Sequence, residues 1–242
     1  MEIGIIGFGN FGRFMAKHLK NKAEVFVTDT INRAKEAEEI GVKFVSLNDL
    51  LQKKVIILAA PMENLKGILH SIKDKIKSGT LVLDVCSLKM FSCNAMKKIL
   101  PENVDIIGTH PLFGPQSAPN SIEGMSIALC NVRSEGLESA KEFCESFGLK
   151  VIITTPEEHD KQMAVSQALT HFIGQIANRI SIKRVELSTK TFDDLMNIIE
   201  IIKNDAPELF ENMQTMNPFA EEIREKFIAE SVKLDKELKG GK

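Results

Sequence analysis

Two short segments carry residue types suited to moving a proton. Gly108-Thr109-His110-Pro111-Leu112-Phe113-Gly114-Pro115 holds a histidine among rigid Gly and Pro residues, and Asp84-Val85-Cys86-Ser87-Leu88-Lys89 supplies a short hydroxyl. An imidazole with an ordinary pKa of about 6.5 suits a general base at neutral pH. His110 is therefore the candidate base, and Ser87 the hydroxyl that could bond the imidazole or a substrate hydroxyl. The ordinary alternative for a loop histidine is surface decoration.

A third segment, Gly7-Phe8-Gly9-Asn10-Phe11-Gly12, follows an apolar run and opens a helical pattern. In that setting Gly7 allows a tight turn, Gly9 lets backbone approach a pyrophosphate, and Gly12 lets helix close on strand. The N–H groups around Asn10 and Phe11 would face the anion. Asp29 ends the next apolar run, 17 residues past Gly12, where an acid can accept from an adenosine ribose. Its charge would repel a 2′-phosphate, which favours NAD, while Arg33 keeps NADP open. Asp29 could instead cap a helix beginning near Ile31. The backbone of Ala60 and Pro61, after another apolar run, could touch the cofactor.

The elements that must position these residues alternate. Glu2–Ile6, Glu24–Thr28, Lys54–Ala60, Thr80–Asp84, Val104–Gly108, Met125–Cys130 and Lys150–Thr154 read as strands. Asn10–Lys20, Ile31–Ile40, Met62–Ile76 and Ser134–Phe147 read as helices between them. Such alternation predicts an α/β fold: a Rossmann-type dinucleotide-binding domain over residues 1–155 with a mostly parallel sheet. Residues 156–242 read as an all-helical domain for substrate binding and dimerisation, broken near Ile182–Arg184, Asp205–Pro207 and Asn217–Pro218, with Lys239–Lys242 as a frayed tail. Ligands of open parallel sheets bind outside the carboxyl ends of the strands, so Ser87 and His110 should face the cofactor.

Residues 162–178 contain no Asp, Glu, Lys or Arg, which predicts a helix buried all round. At about 100° per residue, Gln167, His171, Gln175 and Asn178 share a face onto which Asp160 also projects. A hydrogen-bonded core histidine is the alternative for His171, and ordinary first-turn acids the alternative for Glu157, Glu158 and Asp160. Apolar positions including Leu195, Ile198, Ile199, Ile201, Ile202, Phe210, Phe219, Ile223 and Phe227 exceed one stripe, and a homodimer joined through the helical domain would bury the excess.

Over 242 residues, 31 Lys plus Arg face 33 Asp plus Glu, a net charge of −2 that lacks the basic footprint of a nucleic-acid binder. No apolar run approaches the roughly 20 residues of a membrane span. The four cysteines form no CxxC pair, so neither a metal site nor a disulfide framework follows, and a cytoplasmic setting is the simplest reading.

Taken together, GFGNFG, DVCSLK, GTHPLFGP, the EEHD of Glu157–Asp160 and the QALTHF of Gln167–Phe172 resemble the prephenate and arogenate dehydrogenases of tyrosine biosynthesis, in that family's order. STKTFDDL at Ser188–Leu195 and the later FENMQTMNP look most like the plant-type arogenate branch. The resemblance implies oxidative decarboxylation of a cyclohexadienol, arogenate or prephenate, with hydride passing to NAD or NADP, His110 as base and Ser87 orienting the hydroxyl. It also implies a substrate contact from His171; Gln167, on the same helical face, is the second candidate contact. Many bacterial members have an arginine one position after an aromatic to pair with the ring carboxylate. Here Asp193 follows Phe192, leaving Lys190 as the nearby cation. Another two-domain dehydrogenase of the β-hydroxyacid type, or a non-catalytic NAD-binding redox sensor, would share the glycine loop; neither accounts for His110 with Ser87.

Overall fold

Successive side chains of a strand point to opposite sides, so strands that are apolar throughout need cover on both faces of their sheet. The computed structural model, which describes residues 1–203 and 207–240, shows how this is met. Eight strands, β1 (Glu2–Ile6), β2 (Glu24–Thr28), β3 (Lys43–Phe44), β4 (Val55–Leu58), β5 (Leu81–Asp84), β6 (Asp105–Pro111), β7 (Ser126–Arg133) and β8 (Lys150–Ile153), form one sheet. Its order is β3-β2-β1-β4-β5-β6-β7-β8. Every pairing is parallel except β6 with β7.

Ile3, Ile5, Val25, Val27 and Ile57 bury one face against α1 (Asn10–Leu19) and α2 (Ala34–Ile40) through Ala16, Ala37 and Ile40. Ile6, Ile56, Leu58, Val82 and Ile106 bury the other against α3 (Leu47–Leu50), α4 (Leu65–Ile72) and α5 (Lys89–Ile99). Phe14, Ile107, Ile127, Leu129 and Leu149 close the β6–β8 end, where α6 (Leu137–Glu145) packs. Each such aliphatic side chain contributes on the order of 1.5–3 kcal/mol when fully buried.

Three elements escape the sequence reading: the two-residue β3, the single-turn α3, and α5, which starts on a lysine. Boundaries also move: β7 runs on from Cys130 to Arg133, and α4 and α6 occupy only the middle of the expected Met62–Ile76 and Ser134–Phe147. Helix α2 begins at Ala34 rather than Ile31, because Asp29 and Asn32 side chains take the N–H groups of Ile31 and Ala34 and hold turns there. Strand β6 runs on past Gly108 through His110 to Pro111, because antiparallel β7 continues to pair it, His110 opposite Ala128.

The chain divides into two compact units, Met1–Pro156 and Glu157–Lys242. The second contains α7 (Pro156–Met163) from its second residue on, a π-helical stretch at Ala164–Leu169, α8 (Thr170–Arg179), α9 (Lys190–Lys203), α10 (Pro207–Thr215) and α11 (Ala220–Gly240). Helices α8 and α9 meet at Gly174, where an added Cβ would lie 2.3 Å from Ile202 Cδ1. Helix breaks occur at 182–184 and at 217–218, as expected. Of the third expected break, residues 205 and 206 lie outside the described residues. Lys239 and Gly240 extend α11 rather than fraying, since the i→i−4 ladder persists to that point; residues 241 and 242 lie outside the described residues. Among the described residues no helix is long and apolar enough to cross a membrane.

Candidate functional site

The turn between β1 and α1 is built by close approach. Gly7 has φ +99°, and a Cβ there would lie 2.6 Å from the Ala59 carbonyl oxygen and 2.9 Å from the Ala60 nitrogen. A Cβ on Gly12 would stand 2.1 Å from the Gly7 oxygen. Around Gly9 the situation reverses, for an added Cβ meets nothing within 4 Å. Gly9 also caps α1 with no side chain, and no acid occupies the first turn, so no capping side chain takes the N–H groups of that turn. These residues fit a dinucleotide pyrophosphate. Asn10 is exposed and accepts from Arg13 at 2.7 Å, and Phe11 stacks obliquely on Phe14 at 5.9 Å.

Asp29 ends β2 beside this loop. Its carboxylate accepts from Phe8 N–H at 2.7 Å and Ile31 N–H at 3.0 Å, and Arg33 Nε stands 4.0 Å away. Burial opposes its charge, yet the N–H groups of Ile31 and Phe8, the Thr30 hydroxyl and Arg33 together hold its pKa below the usual carboxylate value. Asp29 therefore ties the glycine loop rather than capping α2. The Arg33 Nε is buried with no hydrogen-bond partner. Ala60 and Pro61 follow β4, next to the Gly7 turn, with Pro61 exposed.

At the carboxyl ends of β5 and β6 the side chains are buried and densely bonded. His110 is 6% exposed and lies within the strand, so the β6–β7 ladder holds its backbone, in addition to the Gly and Pro residues nearby. Ser87 is half-buried, two positions before α5. Between them lies a group for which the sequence suggested no role. Lys89 and Asp84 are both fully buried; Lys89 Nζ donates to Asp84 Oδ2 at 2.5 Å and to the Thr109 carbonyl at 2.6 Å. Asp84 also accepts from Cys86 N–H at 3.1 Å and Thr109 N–H at 3.3 Å, and the Thr109 hydroxyl donates to the Asp84 carbonyl. Burial opposes the Lys89 charge, but Asp84 beside it outweighs this and raises its pKa. Burial pushes the Cys93 thiol up to about 12 and raises Cys86 further, so neither offers a thiolate. The sequence signal for this group was an acid ending an otherwise apolar strand and a lysine five residues on, within DVCSLK.

In the second unit, His171 is half-buried and its pKa is lowered by burial. The Gln167 Oε1 is buried with no hydrogen-bond partner. The polar face drawn at an α-helical period does not continue unbroken from Asp160, because the π-helical stretch at Ala164–Leu169 changes the angular step between them. Nor is the segment buried all round: Val165 is 52% and Ile176 40% exposed, so its lack of charge marks an uncovered apolar surface instead. Asp160 is buried, its carboxylate 2.7 Å from His159 Nδ1, while Asn217 donates to its carbonyl at 2.9 Å. Lys190 is exposed and paired with Asp194, while Asp193 accepts from the Ser188 hydroxyl and lies 3.8 Å from Arg184. Among the described residues no cluster of three His, Cys, Asp or Glu is arranged to hold a metal ion.

Known proteins resemble this chain in sequence and in fold. The model of the prephenate dehydrogenase nucleotide-binding domain family matches residues 11–153, and that of the TYRAAT1-like C-terminal domain matches residues 176–242. The chain is similar to Arogenate dehydrogenase 1, chloroplastic, of Arabidopsis thaliana, at 32% identity over 99% of this chain and 39% of the relative. It is also 31% identical to Arogenate dehydrogenase 2, chloroplastic, of the same plant, over 99% of this chain and 70% of the relative. The chain thus spans less than half the length of the first relative. Its fold is shared with a prephenate dehydrogenase from A. aeolicus, solved with hydroxyphenyl propionate and NAD+. The TM-score is 0.78 at 21% identity, covering 98% of this chain and 90% of that one.

Proposed function

The chain belongs to the prephenate dehydrogenase family, and from that premise we propose that it catalyses the NAD(P)-dependent oxidative decarboxylation of arogenate or prephenate. The observation that carries the reading is the placement of His110. It stands at the carboxyl end of β6, the edge of the sheet at which the glycine loop leaves β1, since β1, β4, β5 and β6 run parallel. That edge is where open α/β sheets take their ligands.

Gly7, Gly9 and Gly12 with the first turn of α1 hold the pyrophosphate, Asp29 the adenosine ribose, and Ala60 and Pro61 the neighbouring part of the dinucleotide. The bound nicotinamide supplies the hydride acceptor. His110 takes the proton of the C4 hydroxyl as the C4–H bond breaks, while Ser87 orients that hydroxyl. The C1 carboxylate then leaves as carbon dioxide, its bonding pair entering the ring. The proton returns from His110 to the phenolic oxygen. Aromatisation supplies the driving force, so the protein's work is chiefly alignment of base and hydride donor.

Gln167 and His171 are the proposed substrate contacts, supported by the buried amide oxygen of Gln167 and the lowered pKa of His171, which favours its neutral form. Lys190 is the proposed partner of the ring carboxylate and would have to leave Asp194 to serve. The plant-like STKTFDDL pattern favours arogenate, whose ammonium suits the acidic Asp193 and Asp194. Asp29 favours NAD, with Arg33 supporting NADP. A homodimer through the helical unit is supported by exposed Ile180, Leu187, Ile228, Val232 and Leu238. Of the residues expected to make that surface, Ile199 and Ile202 are instead buried within their own unit. Free cysteines support a cytoplasmic setting.

The test crosses arogenate and prephenate with NAD and NADP in steady state. Reduction with either substrate is expected, with arogenate and NAD giving the largest kcat/KM; simple hydroxyacids should give none. Light scattering at micromolar concentration should report a dimer.

A further inference from the structure

A lysine sealed from solvent is expensive to keep, and a methionine of similar volume would fill the same space. Lys89 must therefore be read through what it holds. Backbone pairing between β5 and β6 ends at Asp84 opposite Gly108, one residue short of Thr109 and two short of His110. Beyond that point the Asp84 carboxylate takes over from the strand backbone, accepting Thr109 N–H at 3.3 Å. Lys89 completes the closure by donating to Asp84 and to the Thr109 carbonyl, the peptide that leads into His110. Because Lys89 is also the first residue of α5, the same ring of bonds closes the four-residue turn 85–88 that carries Ser87. Gly108 leaves the room required: a Cβ there would lie 2.3 Å from Cys93 Sγ and 3.5 Å from both Asp84 Oδ1 and Lys89 Cδ.

We propose that Lys89 and Asp84 are positioning residues, a buried ionic clasp that sets the His110 backbone and the Ser87 turn in one fixed relation for proton transfer. Lys89 is not itself a proton carrier, since both acceptors hold its ammonium inside the protein. The proposal rests on the reading of His110 as base.

Because Lys89 acts through His110, its removal should be felt only while His110 is present. Displacing a reacting group by about 1 Å can lower turnover on the order of a hundredfold. Lys89→Met is expected to lower kcat between about tenfold and a hundredfold, leaving KM and the cofactor dissociation constant nearly unchanged. The double variant Lys89→Met/His110→Ala is expected to match His110→Ala alone. Thr109→Val, which keeps shape and loses only the hydroxyl bond to Asp84, tests the same clasp should Lys89→Met fail to fold. Its smaller loss of kcat should likewise vanish in the His110→Ala background. A folded Lys89→Met enzyme with undiminished kcat overturns the clasp and leaves the functional reading standing. So does a double variant that falls below His110→Ala by the full single-variant factor. Undiminished turnover in His110→Ala overturns both.

Discussion

The carboxyl ends of β5 and β6 keep their charges inside the fold, whereas α9 carries its charges on the surface. Lys89 and Asp84 are fully buried, with Thr109 bonded to both. Lys190 and Asp194 pair across one exposed helical turn, and Asp193 meets Ser188 and Arg184 at the surface. An exposed i,i+4 pair contributes roughly 0.3–0.5 kcal/mol and can be given up for a ligand. Breaking a buried pair by removing one partner leaves a stranded charge, at about 3–5 kcal/mol. The first region therefore brings a preset geometry to its chemistry, and the second brings side chains that can still turn. Under the proposed function, base and cofactor alignment would fall to the rigid groups, and discrimination between related substrates to the adjustable ones.

The largest expected break in that contrast is His110→Ala, with kcat falling by about 10²–10⁴ while the thermal midpoint and cofactor affinity stay near wild type; stopped-flow turnover, scanning calorimetry and titration with the fluorescent reduced cofactor check the three. Next is Asp29→Ser. It should weaken NAD by about tenfold, the equivalent of one charge-assisted hydrogen bond, and admit NADP in part, as kcat/KM for each cofactor would show. Preference for NADP in the wild type would point to Arg33 instead. Gln167→Leu should raise the substrate KM up to about tenfold without lowering the melting temperature, because it removes an unsatisfied buried oxygen.

The burial-lowered pKa of His171 makes a smaller, pH-dependent contribution. The unfolded chain binds the proton more readily, so this stability is full above about pH 6.5 and declines as pH falls from there through the folded-state pKa. His18, lowered by burial and by Lys17, adds to the same window. Urea titrations from pH 7 to 5 should show a shallower decline in His171→Gln than in wild type. Smallest is Lys190→Ala, within about 0.5 kcal/mol in stability; a raised KM would make it a ligand partner and an unchanged KM a surface residue.

The sheet was legible because continuous apolar strands alternating with amphipathic helices leave few arrangements, and the β1 turn because Gly7 and Gly12 sit where any Cβ would collide. Strand β3 escaped because two residues show no period. The π-helical stretch escaped because its residues suit an α-helix equally well, and that misplaced Asp160 relative to His171. That the His110 backbone is held was legible from its Gly and Pro neighbours, but its pairing with β7 was not. The Asp84–Lys89 clasp was not, because nothing in the spacing of DVCSLK shows that its acid and lysine turn inward to bond each other and Thr109.

The most direct test of the account follows reduced nicotinamide and carbon dioxide released from the C1-labelled carboxylate in the same reaction, for wild type and His110→Ala. The account predicts one molecule of each per turnover with arogenate or prephenate, and loss of both signals together in the variant. Nicotinamide reduction without labelled carbon dioxide, or equal rates from both proteins, would contradict it.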